Sequence, residues 1–432
     1  MATGTSSFPG RPPGTGWASG SKDLVDNPQS APATATEARD NDGATFATAL
    51  AGIGATAFAG LESVPEPDAA VAAAETGAGR RRALALDLPA GGLGRLAEVA
   101  GWLAAAQGVS PPRPISRARA VLLAADHGIA DAGLYPWPAG ATARRIAAVA
   151  AGSSPVAVLA RRAGVTVRVV DIAVAPSPDT SAPAPASAAG LEPSSELPGA
   201  SYRVRAGNGR IDQDDALTVA ELDAAFAVGR RLADEEVDGG ADLLVAGTLG
   251  VGADTAAAVV IAALRDLEPI DVVDRGDGSD DDRWMLRTAA IRDALRRARP
   301  FGADPRSVLR VAGGADLAAL AGLLVQAALR RTPVIVDGPP GAAAALAAER
   351  IVPGARAWWL IGADSPDPAA GMATSALGLT PLVDLGTRAE DATGALAAAS
   401  LVIAAVETAA DLEAAAAAAA ATAGHLSIPD IT

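Results

Sequence analysis

The feature that most narrows the fold of this 432-residue chain is an alternation. Short runs rich in valine, leucine and isoleucine end in glycine or aspartate, and stretches with helical spacing separate them. The runs lie at 118–124, 165–171, 241–247, 307–313, 332–338 and 357–363; the helical stretches include 154–163, 216–236, 254–265, 283–298 and 315–330. The runs are continuously apolar, the pattern of strands buried on both faces. Strand–helix alternation of this kind predicts an α/β fold: a doubly wound, Rossmann-like, mostly parallel sheet with helices on both faces. A small helical subdomain from the N- and C-terminal parts of the folded region is expected beside it. In such sheets a ligand binds at the carboxyl ends of the strands. Here those ends are read as Asp126-His127-Gly128, Gly247, Gly313-Gly314, Asp337-Gly338 and Gly362, which together predict a backbone-lined crevice. For any one of them alone, the plainer reading is a glycine that ends a strand and caps a helix.

The flanks differ in kind. Residues 1–45 are rich in Gly, Pro, Ser, Thr and Asp and poor in large apolar side chains. Such a stretch cannot bury enough surface to offset its ordering entropy, so a disordered tail is expected. Residues 46–80 are read as a linker with short helices, and 81–425 as the α/β domain, interrupted at 176–199 by an exposed Pro/Ser/Ala-rich loop.

Composition removes several function classes. There is no cysteine, and the two histidines are His127 and His425, so neither a thiolate nucleophile nor a multi-histidine metal centre is expected. A net charge of −15, from 50 acids against 35 bases, argues against a nucleic-acid partner and requires that any phosphate be held by local groups. No charge-free run of about 20 apolar residues reads as a membrane span. The N-terminus lacks the basic-then-apolar pattern of a secretory signal, so a cytoplasmic protein with no membrane partner is expected.

Four segments carry chemistry. In 247–264 a strand runs through Gly247, Gly250 and Gly252 before Asp254 and Thr255 open an apolar helix, which presents free N–H groups to a phosphate. The competing reading is an N-capped turn. The glycine spacing is not that of a dinucleotide fingerprint, and no Gly-Lys-Ser/Thr marks a Walker loop. In 273–300, Gly276 and Gly278 form a flexible loop before a helix that starts in aspartates; these are either a metal cluster or, more plainly, complements to the helix dipole. In 122–145, Asp126 and His127 are either an acid/base pair or a histidine that holds a loop. Tyr135 and Trp137, with Arg145 shortly after them, form either a wall for a flat heteroaromatic ligand or an edge packed on the domain. In 382–405, Glu390 and Asp391 precede a helix start, where a carboxylate either takes a proton from a ligand or caps the helix.

Taken in order, these segments resemble the nicotinate-mononucleotide:dimethylbenzimidazole phosphoribosyltransferases of cobalamin assembly, over about residues 89 to 407. PAGGLGRLAEVAGWLAAAQ (89–107) is similar to the family's Pro-Gly-Ser-Leu-Gly-Arg-Leu motif. Residues 122–145 and 152–175 are similar to its Asp-His-Gly strand and the next helix–strand unit, and 311–338 to its Gly-Gly helix and the strand ending Asp-Gly. WWLIGADSPDPA (358–369) most resembles actinobacterial members.

The resemblance implies transfer of ribose 5-phosphate from nicotinate mononucleotide to a nitrogen of 5,6-dimethylbenzimidazole or a related base, releasing nicotinate. It implies no cofactor, small-molecule substrates as the partners, and a homodimer. Its implied nucleotide and phosphate residues are Gly250, Gly252, Asp254, Thr255, Gly276, Gly278, Gly313, Gly314, Asp337 and Gly338. Its implied base pocket is Asp126, His127, Tyr135, Trp137 and Arg145, and its implied base Asp391, with Glu390 as substitute.

The chain departs from the family where chemistry is expected. The family's Gly-Glu-Gly-Thr/Ser-Gly-Ala loop reads Glu390-Asp391-Ala392-Thr393-Gly394-Ala395, which puts a shorter carboxylate at the base position. Its Gly-Ile-Gly-Asn-Thr-Thr loop reads Gly250-Val251-Gly252-Ala253-Asp254-Thr255, which puts an acid beside an expected phosphate. The alternatives are a diverged homologue that binds without efficient turnover, and a nicotinamide-dinucleotide oxidoreductase, whose fingerprint is missing.

Overall fold

The computed structural model describes residues 57–89, 91–176, 202–276, 281–389 and 391–425. The expected tail, nearly all of the 176–199 loop, Gly278 and Glu390 lie outside them. In chain order the elements are α1 (Ala69–Ala85), α2 (Arg95–Gln107), β1 (Ala118–Asp126), α3 (Ala141–Ala150), α4 (Pro155–Ala163), β2 (Thr166–Ala173), α5 (Val219–Asp238) and β3 (Leu243–Val251). There follow α6 (Ala253–Arg265), α7 (Pro269–Val272), α8 (Asp281–Ala298), α9 (Pro305–Val308), α10 (Gly314–Leu329), β4 (Val334–Val336), α11 (Gly338–Ile351) and β5 (Trp359–Ile361). Last come β6 (Ala363–Asp364), α12 (Pro368–Leu377), β7 (Val383–Asp384) and α13 (Thr393–His425).

The main sheet has five strands in the order β2-β1-β3-β4-β5, and every pairing in it is parallel. Successive residues of a strand face opposite sides of the sheet, and both sides are apolar. Val121, Leu123 and Ala125 of β1 and Leu244 and Ala246 of β3 enter a core shared with α5, α6, α10 and α11. Ala120, Leu122 and Ala124 of β1 and Leu243 and Val245 of β3 enter a second core shared with α2, α4 and α13. A doubly wound sheet is the outcome the continuous apolar runs predict. Beside it α1, α2 and α13 pack on one another, joining the two ends of the folded region.

Helix starts follow side-chain chemistry. Ser154 caps α4 ahead of Pro155, and Thr218 and Glu221 form a reciprocal capping box at α5. Among the described residues of the expected linker, α1 starts where Asp68 accepts hydrogen bonds from the N–H groups of Ala70 and Val71; the expected boundary at residue 80 falls inside it.

One expected strand is not a strand. Residues 307–313 lie in α9 and a single π turn, Leu309–Gly313, that leads into α10. A short apolar run cannot separate a buried strand from a buried helix by periodicity. The deciding signal is upstream: Asp304 accepts from the Arg306 N–H, and Pro305 occupies the first turn. Gly247 is likewise within β3, which continues to Val251, rather than at its end. Two stretches, Pro305–Leu329 and Thr393–Thr422, are long and apolar enough to cross a membrane by composition, though neither is a charge-free run. The first is 94% buried within the protein, as expected of a central helix, and the second 44%.

Candidate active site

In the strand order 2-1-3-4-5 the winding reverses between β1 and β3, and a crevice opens outside the carboxyl ends of these strands. A cleft of about 590 Å³ lies there, lined on its floor by Thr248, Leu249, Gly250 and Val251 at the end of β3. Three helix N-termini reach its wall: α4 at Ser154, α6 at Gly252 and Asp254, and α13 at Asp391. The first N–H groups of a helix are positively polarised, so the convergence favours an anion. Gly252, the N-cap of α6, sits at φ +96 and has no side chain to compete for them. A Cβ there would come within 2.9 Å of the His127 Cβ, so only glycine fits.

Arg145, Arg287 and Arg388 supply cationic charge to this cleft. Arg145 donates from Nη1 to the Gly250 carbonyl at 2.8 Å, and its guanidinium lies 5.5 Å from the centroid of the Trp137 ring. Arg287 places Nη2 2.5 Å from Asp254, and Arg388 pairs with Asp274. Asp254 is buried, and Tyr135 donates its hydroxyl hydrogen to it; the same hydroxyl is 2.6 Å from Thr255 Oγ1. The acid that the sequence places beside an expected phosphate is met by Arg287 and Tyr135. Arg287 also faces Asp367, whose pKa burial pushes up to about 7 against the opposing pull of that guanidinium.

The aromatic segment forms part of the same wall. Tyr135 is anchored as above, while Trp137 is 52% exposed and leaves an open indole face beside Arg145.

Asp126 and His127 do not pair with each other. Asp126 accepts from the Thr142 hydroxyl and, at 2.9 Å, from the Ala175 N–H. His127 is fully buried with Nε2 3.1 Å from an Asp316 carboxylate oxygen, and Asn208 donates to Asp316 at 3.3 Å. Burial, the largest single influence, would lower the histidine's pKa, but the charge and hydrogen bond of Asp316 together with the Asp126 and Asp254 charges outweigh it, and the net direction is up. This buried network braces the Gly252 loop from beneath. The loop-holding reading of His127 therefore fits its surroundings better than the acid/base reading.

Asp391 lines the same cleft, and the Thr393 hydroxyl donates to its Oδ1 at 2.5 Å. Next to it Ala392 is fully buried at φ +64, a left-handed conformation that an L-residue with a Cβ adopts at a cost. Behind this turn is Asp337, at the end of β4. It is 5% exposed and accepts hydrogen bonds from the N–H groups of Gly394 and Ala395 at the start of α13.

Of the sequence-expected residues, Gly250, Gly252, Asp254, Tyr135, Trp137, Arg145 and Asp391 line one cleft. Thr255 sits one hydrogen bond behind it, through Tyr135. Asp337, Gly338, Gly313 and Gly314 are buried beneath the cleft, with Gly314 packed on Asn208 and the His127 ring, and are not in its lining. Gly276 is likewise not in the lining, and follows the Asp274 that holds Arg388. Among the described residues no group of three or more His, Cys, Asp or Glu is arranged to hold a metal ion. Sequence reading missed Arg287, Arg388, Asn208 and Asp316. Only Arg287 carried a local signal, as the cation one turn beyond the aspartate run that opens α8.

A family model described as phosphoribosyltransferase matches residues 64–420. Relatives named nicotinate-nucleotide–dimethylbenzimidazole phosphoribosyltransferase include that of Mycobacterium tuberculosis, 48% identical over 347 residues, covering 80% of this chain and 91% of the relative. That of Mycobacterium avium is 47% identical over 344 residues, covering 80% and 92%. A crystal structure under the same name from Thermus thermophilus matches with a TM-score of 0.68 at 32% identity, covering 79% of this chain and 96% of that one.

Proposed function

The chain belongs to the phosphoribosyltransferase family, and from that premise we propose that it transfers ribose 5-phosphate from nicotinate mononucleotide to 5,6-dimethylbenzimidazole or a related base. The products are nicotinate and α-ribazole 5′-phosphate, and the step belongs to assembly of the cobalamin nucleotide loop. The observation that carries this reading is the make-up of the cleft: three helix N-termini and three arginines converge on it, and among the described residues Asp391 is the lining carboxylate that no arginine pairs with. The 5′-phosphate is assigned to the N–H groups opening α6 and to Arg287 and Arg388. The flat base is assigned to the Tyr135–Trp137 wall beside Arg145. Between them the anomeric carbon passes through an oxocarbenium-like state. The base nitrogen forms the new C–N bond as the bond to nicotinate breaks, and the bonding pair leaves on the nicotinate nitrogen, neutralising its positive charge. Asp391 accepts the proton that the base sheds.

We further place the protein in the cytoplasm, where a charged mononucleotide that does not cross membranes unaided is at hand, as a homodimer with no nucleic-acid or membrane partner. The test is nicotinate release from nicotinate mononucleotide and dimethylbenzimidazole by the purified protein. Asp391→Ala is expected to lower kcat by about 10²–10⁴-fold. Binding of both substrates by the unaltered protein with no nicotinate formed would overturn the proposal.

A further inference from the structure

Beneath the cleft-facing carboxylate lies a second one that the transfer chemistry leaves without a role. Asp337 is almost wholly enclosed, and among the described residues its Oδ1 has no hydrogen-bond partner. A buried carboxylate oxygen left bare is costly, more so when charged, unless it carries a proton. The rest of the carboxyl is held by the Gly394 and Ala395 N–H groups. A Cβ on Gly394 would come within 2.3 Å of Asp337 Oδ2, so the turn is shaped to let this carboxylate approach. The charged group facing it is Asp391, on the turn between β7 and α13; β3 and β5, on either side of β4, bring no ionisable side chain against it. A like charge nearby makes a buried carboxylate costlier to ionise.

We propose that Asp337 is the positioning residue of the cleft's base. Buried Asp337 carries a proton, and Asp391, on the turn whose Gly394 packs against Asp337, faces the ligand. Loss of that proton at higher pH strengthens Asp391 as an acceptor. This rests on the assignment of Asp391 as the base. Burial, opposed by the two N–H donors and reinforced by the Asp391 charge, places the Asp337 transition at about 7, inside the working range of a cytoplasmic enzyme.

Two readouts separate this inference from the transferase reading. The first needs no substrate. A carboxyl whose pKa is higher folded than unfolded stabilises the fold at low pH, and that stability is lost as pH rises from the ordinary carboxylate range through the folded value. Thermal unfolding midpoints of the full chain, measured from pH 4 to pH 9, should therefore fall towards neutrality. Asp337→Asn should shrink that fall, and Asp391→Asn should end it at lower pH, since the neighbouring charge is gone. Asp367→Asn, which removes the other raised carboxyl, should leave the effect of Asp391→Asn in place. A fall that neither Asp337→Asn nor Asp391→Asn changes overturns the inference, whatever the protein catalyses.

The second readout is the pH profile of nicotinate release. The unaltered protein should gain about threefold or more across pH 6 to 8. Asp337→Asn, which keeps a neutral acceptor for Gly394 and Ala395, should remain active with a flat profile. An unchanged profile in Asp337→Asn overturns the tuning role and leaves the transferase reading intact. An Asp337 transition that moves in Asp391→Asn, without any nicotinate release, sinks that reading and leaves the Asp337 inference standing.

Discussion

On the β3–α6 wall of the cleft the charges come in matched sets. Arg287 meets Asp254, and Arg145 is fixed by the Gly250 carbonyl and the Trp137 face. The β4–α13 wall is built from equally short loops but holds unbalanced parts: Asp391 with the Thr393 hydroxyl as its donor, Ala392 in a left-handed conformation, and Asp337 with a bare buried oxygen. A wall that binds needs charges fixed before the ligand arrives, because reorienting them on binding costs affinity. A wall that moves a proton needs a group whose two protonation states lie close in energy. The contrast therefore divides the cleft into a holding half and a reacting half.

Breaking the holding half should give the largest effect on substrate affinity. Arg287→Met removes a charge-assisted phosphate contact and should raise KM for nicotinate mononucleotide about 10- to 100-fold with little change in kcat. Steady-state kinetics would show this, and a loss confined to kcat would assign Arg287 to the reacting half instead. A smaller effect sharpens the other side. Ala392→Gly relieves a left-handed L-residue and should stabilise the protein by about 1 kcal/mol, read as a rise of about 2 °C in Tm. A lower Tm would mean that packing of the Ala392 methyl over Gly247, where a Cβ would sit 2.8 Å away, outweighs the strain.

Much of the fold was legible because it is local. Strands β1 and β3 show themselves as unbroken apolar runs, and Ser154-Pro155 and Thr218…Glu221 mark helix starts within four residues. The 307–313 run failed because its apolar content suits either buried element, and its helix signals, Asp304 and Pro305, sit outside the run. The glycine-rich edge was legible as a set but not residue by residue. Gly250 and Gly252 face the cleft, whereas Gly314 is glycine because Asn208 and His127 crowd it.

The partners that define the chemistry are long-range and have no local signature. Asp254 and Arg287 are 33 positions apart, and His127 and Asp316 are 189. Asp254 was read as an acid in an awkward place because nothing nearby in sequence announces the arginine that neutralises it.

The division of labour is tested most directly by calorimetric titration of nicotinate mononucleotide into the unaltered protein and into Asp391→Asn. The expected result is an affinity for the variant within about threefold of the unaltered protein, under 1 kcal/mol, alongside lost nicotinate release. A variant whose affinity falls as far as its turnover would show that the carboxylate wall holds the nucleotide, and the two halves of the cleft would not be separate.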